Sequence, residues 1–212
     1  MKTYKISVSL LSASLIGSAE GYGAIIDSDV IFDEVGIPYI PAKRFKGILR
    51  ESGELLENLF KSINKRFDLK VSEMLGIVGM TDNESALNIP DLFISQYEDN
   101  FTFIKYLEYN KSKSYDFTIS KDMVMSYFTE LRINTSVNSE FGVSERGSLR
   151  TLRLIKRGLT FENYINMEEK YENILALLCK ATKKIGSKRN RGLGKIKTIL
   201  YDDKNKEIQT YF

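Results

Sequence analysis

Residues 38–60, PYIPAKRFKGILRESGELLENLF, contain the clearest structural pattern in this 212-residue chain. Pro38 and Pro41 favour an extended backbone, and from Ala42 onward apolar residues recur at helical spacing. These apolar positions are Phe45, Ile48, Leu49, Leu55, Leu56, Leu59 and Phe60. The pattern predicts an extended segment followed by an amphipathic helix of about five turns, with one face packed in a core.

Strand and helix patterns lie on both sides of this helix. Residues 3–16 alternate between polar and apolar, which predicts a half-buried strand. A second amphipathic helix is predicted at about 167–185, with Gly186 as its terminator, followed by a hairpin with strands near 193–201 and 206–211. The middle is predicted to contain a strand at 87–95, a helix at 121–131 and one or two strands at 147–161. This arrangement favours an α+β fold with an antiparallel sheet covered by helices.

The composition is that of a globular protein, with 42% hydrophobic and 28% charged residues, and the length favours a single domain. The absence of histidine argues against His-dependent hydrolases, zinc sites and histidine-based ribonucleases. Cys179 is the single cysteine and is expected to be a buried thiol. No apolar run approaches the ~18 residues of a membrane span, and no signal-peptide block begins the chain, so no membrane association and a cytoplasmic location are predicted.

Charge is distributed unevenly, although the net charge is only +3. Between Lys183 and Lys197 there are seven cations and no acid, and the segment 186–194, GSKRNRGLG, combines glycines with cations. Glycines let backbone amides approach an anion while Lys and Arg neutralise it, so this segment is a candidate phosphate-binding loop; the alternative is an exposed basic turn. The candidate RNA-binding residues here are Lys188, Arg189, Arg191 and Lys195.

Two further basic groups are candidates for the same role. At the start of the first helix, Lys43, Arg44, Lys46 and Arg50 place cations where the helix dipole also favours an anion; the alternative is an ordinary exposed helix face. In the segment 142–156, GVSERGSLRTLRLIK, the residues Arg146, Arg150 and Arg153 form a candidate basic β-arm; the alternative is an edge strand protected by charge.

Three acids precede the first helix, at Asp27, Asp29 and Asp33. If residues 25–33 are extended, the three carboxylates point to the same side, because side chains alternate along a strand. Clustered carboxylates are how a site without histidine would bind Mg²⁺ or deprotonate a hydroxyl. The alternative is that all three are solvated loop residues.

Taken together and in order, these segments resemble the RAMP superfamily of CRISPR-associated proteins. The segments that carry the resemblance are 26–51 (IDSDVIFDEVGIPYIPAKRFKGILRE), 75–94 (LGIVGMTDNESALNIPDLFI), 141–161 (FGVSERGSLRTLRLIKRGLTF) and 186–194. The resemblance implies a ferredoxin-like, RRM-related sheet with helices on one face. It implies a single domain over 1–212, with an inserted middle segment at about 62–166 that includes an RNA-contacting arm.

Within the superfamily, the chain is similar to the small backbone subunits of type III effector complexes. This similarity implies guide RNA, target RNA, other effector subunits and further copies of itself as partners. By its position before the proline-rich segment, Asp27 matches the residue that supports metal-dependent cleavage of target RNA, with Mg²⁺ as the implied ion. However, residues 41–44 read Pro-Ala-Lys-Arg where backbone subunits commonly carry Pro-Gly-Ser-Ser. This variation also looks like type III-D relatives, some of which cap the 5′ end of the guide and do not cut.

Three functions are therefore weighed. The first is a guide-RNA-binding subunit that cleaves paired target RNA, and the second is a structural subunit that caps the guide 5′ end without catalysis. The third is a small α+β enzyme that acts on a phosphorylated metabolite through residues 186–194. Processing of guide precursors ranks below these three, because related RAMP ribonucleases commonly rely on a histidine.

Overall fold

The computed structural model describes residues 1–17, 26–63, 69–76, 86–110, 119–135 and 148–210. Its strands and helices are β1 (Lys2–Leu10), α1 (Ala42–Ser62), α2 (Val71–Leu75), β2 (Phe93–Ile94), α3 (Tyr97–Asn110), α4 (Lys121–Phe128), β3 (Thr129–Asn134), β4 (Arg150–Ile155), β5 (Thr160–Met167), α5 (Glu172–Ala181) and β6 (Ile196–Tyr201). Within these ranges, no helix combines the length and apolar character needed to cross a membrane.

The central sheet has the strand order β2-β5-β1-β6, and each neighbouring pair is antiparallel. Along the chain, α1 connects β1 to the β2 side of the sheet and α5 connects β5 to β6. A β-α-β-β-α-β order with this strand arrangement is the ferredoxin-like topology. The predicted α+β, ferredoxin-like fold is confirmed.

Strand β1 gives the sheet one buried and one open face. The buried side chains on β1 are Tyr4, Ile6, Val8 and Leu10. Helix α5 packs against β6, and α1 packs against α5, so the helices cover this face. Polar side chains occupy the other face, where Thr3 donates to Asn166 and the hydroxyls of Ser9 and Thr160 lie 3.0 Å apart. The alternation of the sequence therefore becomes an inside and an outside of the sheet.

Helix α1 begins where the sequence predicts, and it runs to Ser62. The N–H of Ala42 donates to the carboxylate of Asp91 at 2.7 Å, so an acid from a distant segment caps the first turn. Phe45 is fully buried in the core. A Cβ at Gly53 would lie 2.7 Å from Val71, so the missing side chain is what lets α2 approach α1.

Helix α5 is shorter than the predicted helix at 167–185. Met167 still pairs with Lys2 at the end of β5, and the helix begins only at Glu172. It ends at Ala181, because Thr182 is extended. Gly186 is therefore not its terminator, and that prediction was wrong. Apolar periodicity could not separate the end of a buried strand from the start of a buried helix, since both present apolar side chains to one core.

Two predicted strands are shorter than expected. The strand predicted at 87–95 is regular only at Phe93–Ile94, where it pairs with β5. In the C-terminal hairpin, β6 is followed by a single bridge between Tyr201 and Glu207, with the N–H of Ile208 donating to Leu200. Both shortened strands lie at sheet edges, where one neighbour is missing and pairing ends early.

The extra elements lie mainly between β2 and β5. They are α3, α4 and the antiparallel ribbon of β3 and β4, here called the arm. The helix predicted at 121–131 ends at Phe128 and continues as β3 from Thr129, whose hydroxyl donates to the carbonyl of Met125. The segment predicted as an insertion, about 62–166, therefore includes two strands of the central sheet, β2 and β5.

Candidate nucleic-acid interface

The segment 186–194, here called the glycine loop, requires glycine at both ends. Gly186 and Gly194 have φ values of +80° and +74°. A Cβ at Gly186 would overlap the carbonyl of Leu15, and one at Gly194 would overlap the carbonyl of Ile185. Both positions therefore combine a left-handed backbone with a close backbone approach that only glycine permits.

Residues 11–17, which follow β1, connect the glycine loop to the arm. Ser14 exchanges two backbone hydrogen bonds with Ile155 of β4, at 3.0 and 2.9 Å. The carbonyl of Leu15 accepts from the N–H of Ser187 at 2.8 Å. One short segment is thus bonded to both elements, which fixes the arm and the glycine loop next to each other.

A first cleft of about 260 Å³ lies between the glycine loop and the start of α1. Its lining includes Lys43, Arg44, Gly47, Ser187 and Arg189. Gly47 is exposed and adds no side chain to this surface, so the helix backbone is accessible between the cations. Two of the predicted basic groups, far apart in sequence, are therefore brought together here.

A larger cleft of about 800 Å³ lies along the glycine loop itself. Its charged lining residues are Lys184, Lys188, Arg189, Arg191 and Glu51. Arg189 donates to Glu51 at 2.9 Å, and both side chains are partly exposed. Since an exposed ion pair contributes only about 0–1 kcal/mol, a phosphate can replace Glu51 as the partner of Arg189 at little cost.

A third cleft, of about 360 Å³, lies between the glycine loop and β3. It is lined by Arg132, Asn134 and Thr135 together with Lys188 and Arg191. The three clefts share residues of the glycine loop and so form one continuous region. This region is here called the basic surface, and its cations are Lys43, Arg44, Arg132, Lys184, Lys188, Arg189 and Arg191.

Two predicted RNA-binding residues, Arg50 and Arg153, bond to protein groups outside the three clefts. Arg50 donates to the carbonyls of Leu75 and Gly76 at 2.6 and 3.0 Å, where it caps the end of α2. Arg153 lies 3.0 Å from a carboxylate oxygen of Asp29 in a largely buried ion pair. The guanidinium groups of these two residues therefore stabilise the fold.

Three further predicted cations, all among the described residues, lie outside the three clefts. Arg150 is exposed at the start of β4, opposite Asn134. Lys46 is half-buried on α1, and Lys195 is exposed where the glycine loop leads into β6. Arg146 lies outside the described residues. The RNA-binding role assigned to each of these positions stays a prediction.

Two cations of the basic surface were not chosen from the sequence. Lys184 belongs to the basic run between 183 and 197, and its Nζ donates to the carbonyl of Arg189 at 3.0 Å, so that run contained the signal. Arg132 is in the short strand β3, and nothing in its local sequence marks it. Its place beside Lys188 follows from the way the arm docks.

The three acids of 25–33 have separate partners. Asp27 is exposed, and its Oδ2 accepts from the N–H of Thr151 at 2.8 Å. Asp29 is buried against Arg153.

Asp33 accepts from the N–H groups of Val35 and Ile37 and from the hydroxyl of Tyr97. Burial, and next the hydrogen bond to Asp33, raise the pKa of Tyr97. The carboxylates do not converge: the chain bends at Asp27, and beyond it Ser28, Val30 and Phe32 form bridges with three different parts of the chain.

The described residues do not by themselves form a metal site. In the described ranges, no group of three or more acidic or cysteine side chains is arranged to hold an ion. Asp27 is the exposed carboxylate of the three acids, and one of its oxygens is already bonded to an amide. A Mg²⁺ ion would therefore need RNA phosphates or water for most of its ligands.

The sequence matches the family model of the RAMP superfamily over residues 7–197, and the chain belongs to this superfamily. The matched range contains Asp27 and every cation of the basic surface. No curated protein matches the sequence.

Two solved structures contain chains with a similar fold. A chain in the cryo-EM structure of the type III-B Cmr-beta bound to cognate target RNA is 14% identical, with a TM-score of 0.65, and the alignment covers 94% of this chain and 97% of that one. A chain in the apo structure of type III-B Cmr-beta is 13% identical, with a TM-score of 0.64 and coverage of 95% and 98%. The fold is therefore shared over nearly the full length of both aligned chains.

Proposed function

We propose that this chain is a guide-RNA-binding subunit of a type III CRISPR effector complex. Membership of the RAMP superfamily supports the proposal, as does the fold shared with chains of type III-B Cmr-beta structures. The observation that carries it is the basic surface, in which cations from α1, the glycine loop and β3 line three adjoining clefts.

The basic surface suits contacts that do not depend on sequence. Lys and Arg side chains neutralise phosphates, and the glycine loop brings backbone close to the sugar-phosphate chain. Such contacts accept any guide, and specificity for the target comes from base pairing. Arg189 would exchange its exposed partner Glu51 for a guide phosphate.

Binding of single-stranded RNA by the purified chain tests this proposal. A triple variant, Lys43→Glu, Arg44→Glu and Arg191→Glu, is compared with a matched control, Lys61→Glu, Lys204→Glu and Lys206→Glu, whose three lysines are exposed outside the three clefts. We expect the first variant to lose about 100-fold in affinity and the control to change by less than about threefold, at one fixed salt concentration. Equal losses in both variants would reject the basic surface as the RNA site.

Asp27 is the residue that we propose for target cleavage. Its carboxylate is exposed, and the N–H of Thr151 holds its segment against the arm. A Mg²⁺ ion bound there together with RNA phosphates would supply charge neutralisation beside the scissile phosphate. The oxygen of Asp27 that does not accept from Thr151 is the group that would face the ion or the attacking 2′-hydroxyl.

A non-catalytic subunit that caps the 5′ end of the guide is the second candidate. The dispersal of Asp27, Asp29 and Asp33 among separate partners favours it, as does the lack of a metal-ligand cluster among the described residues. An assembled complex with Asp27→Asn distinguishes the two. Cleavage that is lost while RNA binding is retained supports catalysis, whereas unchanged cleavage and one copy of the chain per particle support the cap.

A further inference from the structure

The open face of the central sheet carries a row of three side chains, a lysine with one tyrosine on each side. Lys5 in β1 pairs with Tyr164 of β5 and with Tyr201 of β6. Directly paired residues in antiparallel strands point to the same face, so the three side chains form one row across three strands. The Nζ of Lys5 lies 5.2 Å from the centroid of the Tyr201 ring, so these two side chains of the row are in contact.

Tyr164 is not packed in the core. Its side chain is 61% exposed in the middle of a strand, whereas Tyr4 and Tyr171 are buried and donate their hydroxyls to glutamates. The fold uses the rings of Tyr4 and Tyr171 for packing, but it leaves Tyr164 largely exposed to solvent.

Positive charge continues from the glycine loop onto this face. Burial alternates from Lys195 to Tyr201, so that Lys195 and Lys197 lie on the open side while Ile196 is buried. Among the described residues, the acids in contact with members of the row include Glu162, 3.9 Å from Lys5, and Glu207, bridged to Tyr201. Lys195 and Lys197 extend positive charge from the glycine loop along this face toward the two tyrosines.

The chemistry of the row fits single-stranded RNA. Tyr164 and Tyr201 are two strand spacings apart, about 10 Å, which leaves room for a base on each ring and a phosphate near Lys5. Ser9, Thr160 and Asn166 place hydroxyl and amide groups along the same face for sugars and base edges. The centre of this face is mostly polar, with Lys5 and Ser7 beside Ile199, whereas a protein partner would favour a more apolar centre.

We propose that the open face of the central sheet is a second contact site for single-stranded RNA, with Tyr164 and Tyr201 stacking on bases and Lys5, Lys195 and Lys197 binding phosphates. This site is separate from the basic surface, and it does not depend on the guide-binding role proposed for that surface.

The test measures RNA affinity in the wild-type chain and in the triple variant of the basic surface. In each background, Tyr164→Leu removes the ring and Tyr164→Phe keeps it, while Tyr106→Leu removes an exposed tyrosine of α3 as the control. We expect Tyr164→Leu to weaken binding about tenfold in both backgrounds, since stacking on an aromatic side chain contributes about 1–3 kcal/mol per base. Tyr164→Phe and the control should stay within about twofold of the parent chain.

Cross-linking gives a second measurement with the same chain. A short single-stranded RNA containing 5-iodouridine is irradiated with the protein, and cross-linked peptides are identified by mass spectrometry. Adducts at Tyr164 or Tyr201 support the site. Unchanged affinity in Tyr164→Leu, with adducts only in the basic surface, would overturn it. A Tyr164 effect with no effect of the triple variant would reject the proposed guide site and leave this one standing.

Discussion

Arg153 and Asp29 form a largely buried ion pair between the arm and the segment that carries Asp27. One guanidinium nitrogen lies 3.0 and 3.3 Å from the two carboxylate oxygens. The side chain of Asp29 is 3% exposed and that of Arg153 is 15% exposed. Asp29 also accepts from the N–H of Val30. Because Asp27 accepts from Thr151 in the same strand as Arg153, two side-chain contacts add to the backbone hydrogen bonds that hold this segment on β4.

Removing one partner of this ion pair should destabilise the fold. Arg153→Ala leaves the carboxylate of Asp29 buried without its cation, and we expect a loss of about 3 kcal/mol in the free energy of unfolding. Arg132→Ala breaks the exposed pair with Glu130 and should change stability by less than about 1 kcal/mol. Urea unfolding monitored by circular dichroism measures both. Similar values for the two variants would show that the Asp29 pair is not structurally important.

The glycine loop offers a matched pair of substitutions. Gly192 and Gly194 have nearly the same φ, at +76° and +74°. A Cβ at Gly192 meets nothing within 4 Å, whereas one at Gly194 would overlap the carbonyl of Ile185. Gly192→Ala should lower the free energy of unfolding by about 1–2 kcal/mol through backbone strain, and Gly194→Ala should lower it by at least about 3 kcal/mol. Thermal unfolding of both variants checks this order, and a reversed order would contradict the loop geometry.

The salt dependence of RNA binding should depend on how many side chains bind phosphates. Removing one phosphate-binding cation reduces the magnitude of the slope of log K against log salt by roughly 0.7 for a single strand. Replacing Lys188 and Arg191 together by alanine should therefore reduce it by about 1.4. Lys61→Ala, outside the clefts, should leave the slope unchanged. An unchanged slope in the double variant would mean that these side chains do not bind phosphates.

Cys179 should be unreactive in the folded chain. Burial raises the pKa of its thiol from 9.0 to about 12, so almost no thiolate forms at neutral pH. Alkylation by iodoacetamide should be slow in buffer and fast in urea. The unfolded thiol ionises at lower pH than the folded one, so Cys179 contributes stability below pH 9 that is lost between pH 9 and 12. Cys179→Ala should reduce this alkaline loss, and rapid labelling of the native chain would contradict its burial.

The elements with the strongest local patterns are the ones that the sequence predicts well. The alternation in β1 and the helical spacing from Ala42 each place apolar side chains on one side, and the structure buries them there. The local sequence could not predict that Lys43 and Arg189 line the same cleft, because the two residues are far apart along the chain and only the fold brings them together. Arg153 was the reverse case, since its position in a basic segment gave no sign that Asp29 would be its partner.

The α+β class, the long amphipathic helix and the glycine loop can be predicted from the sequence, because hydrophobic period and glycine content act over a few neighbouring residues. Which charges remain on the surface depends instead on how distant segments pack. An Arg side chain is chemically the same in either role, and only packing decides whether it reaches a buried carboxylate, as Arg153 does, or lines a cleft, as Arg191 does. The row of Tyr164, Lys5 and Tyr201 likewise exists only through strand register, which brings the start of the chain beside two strands from its far end.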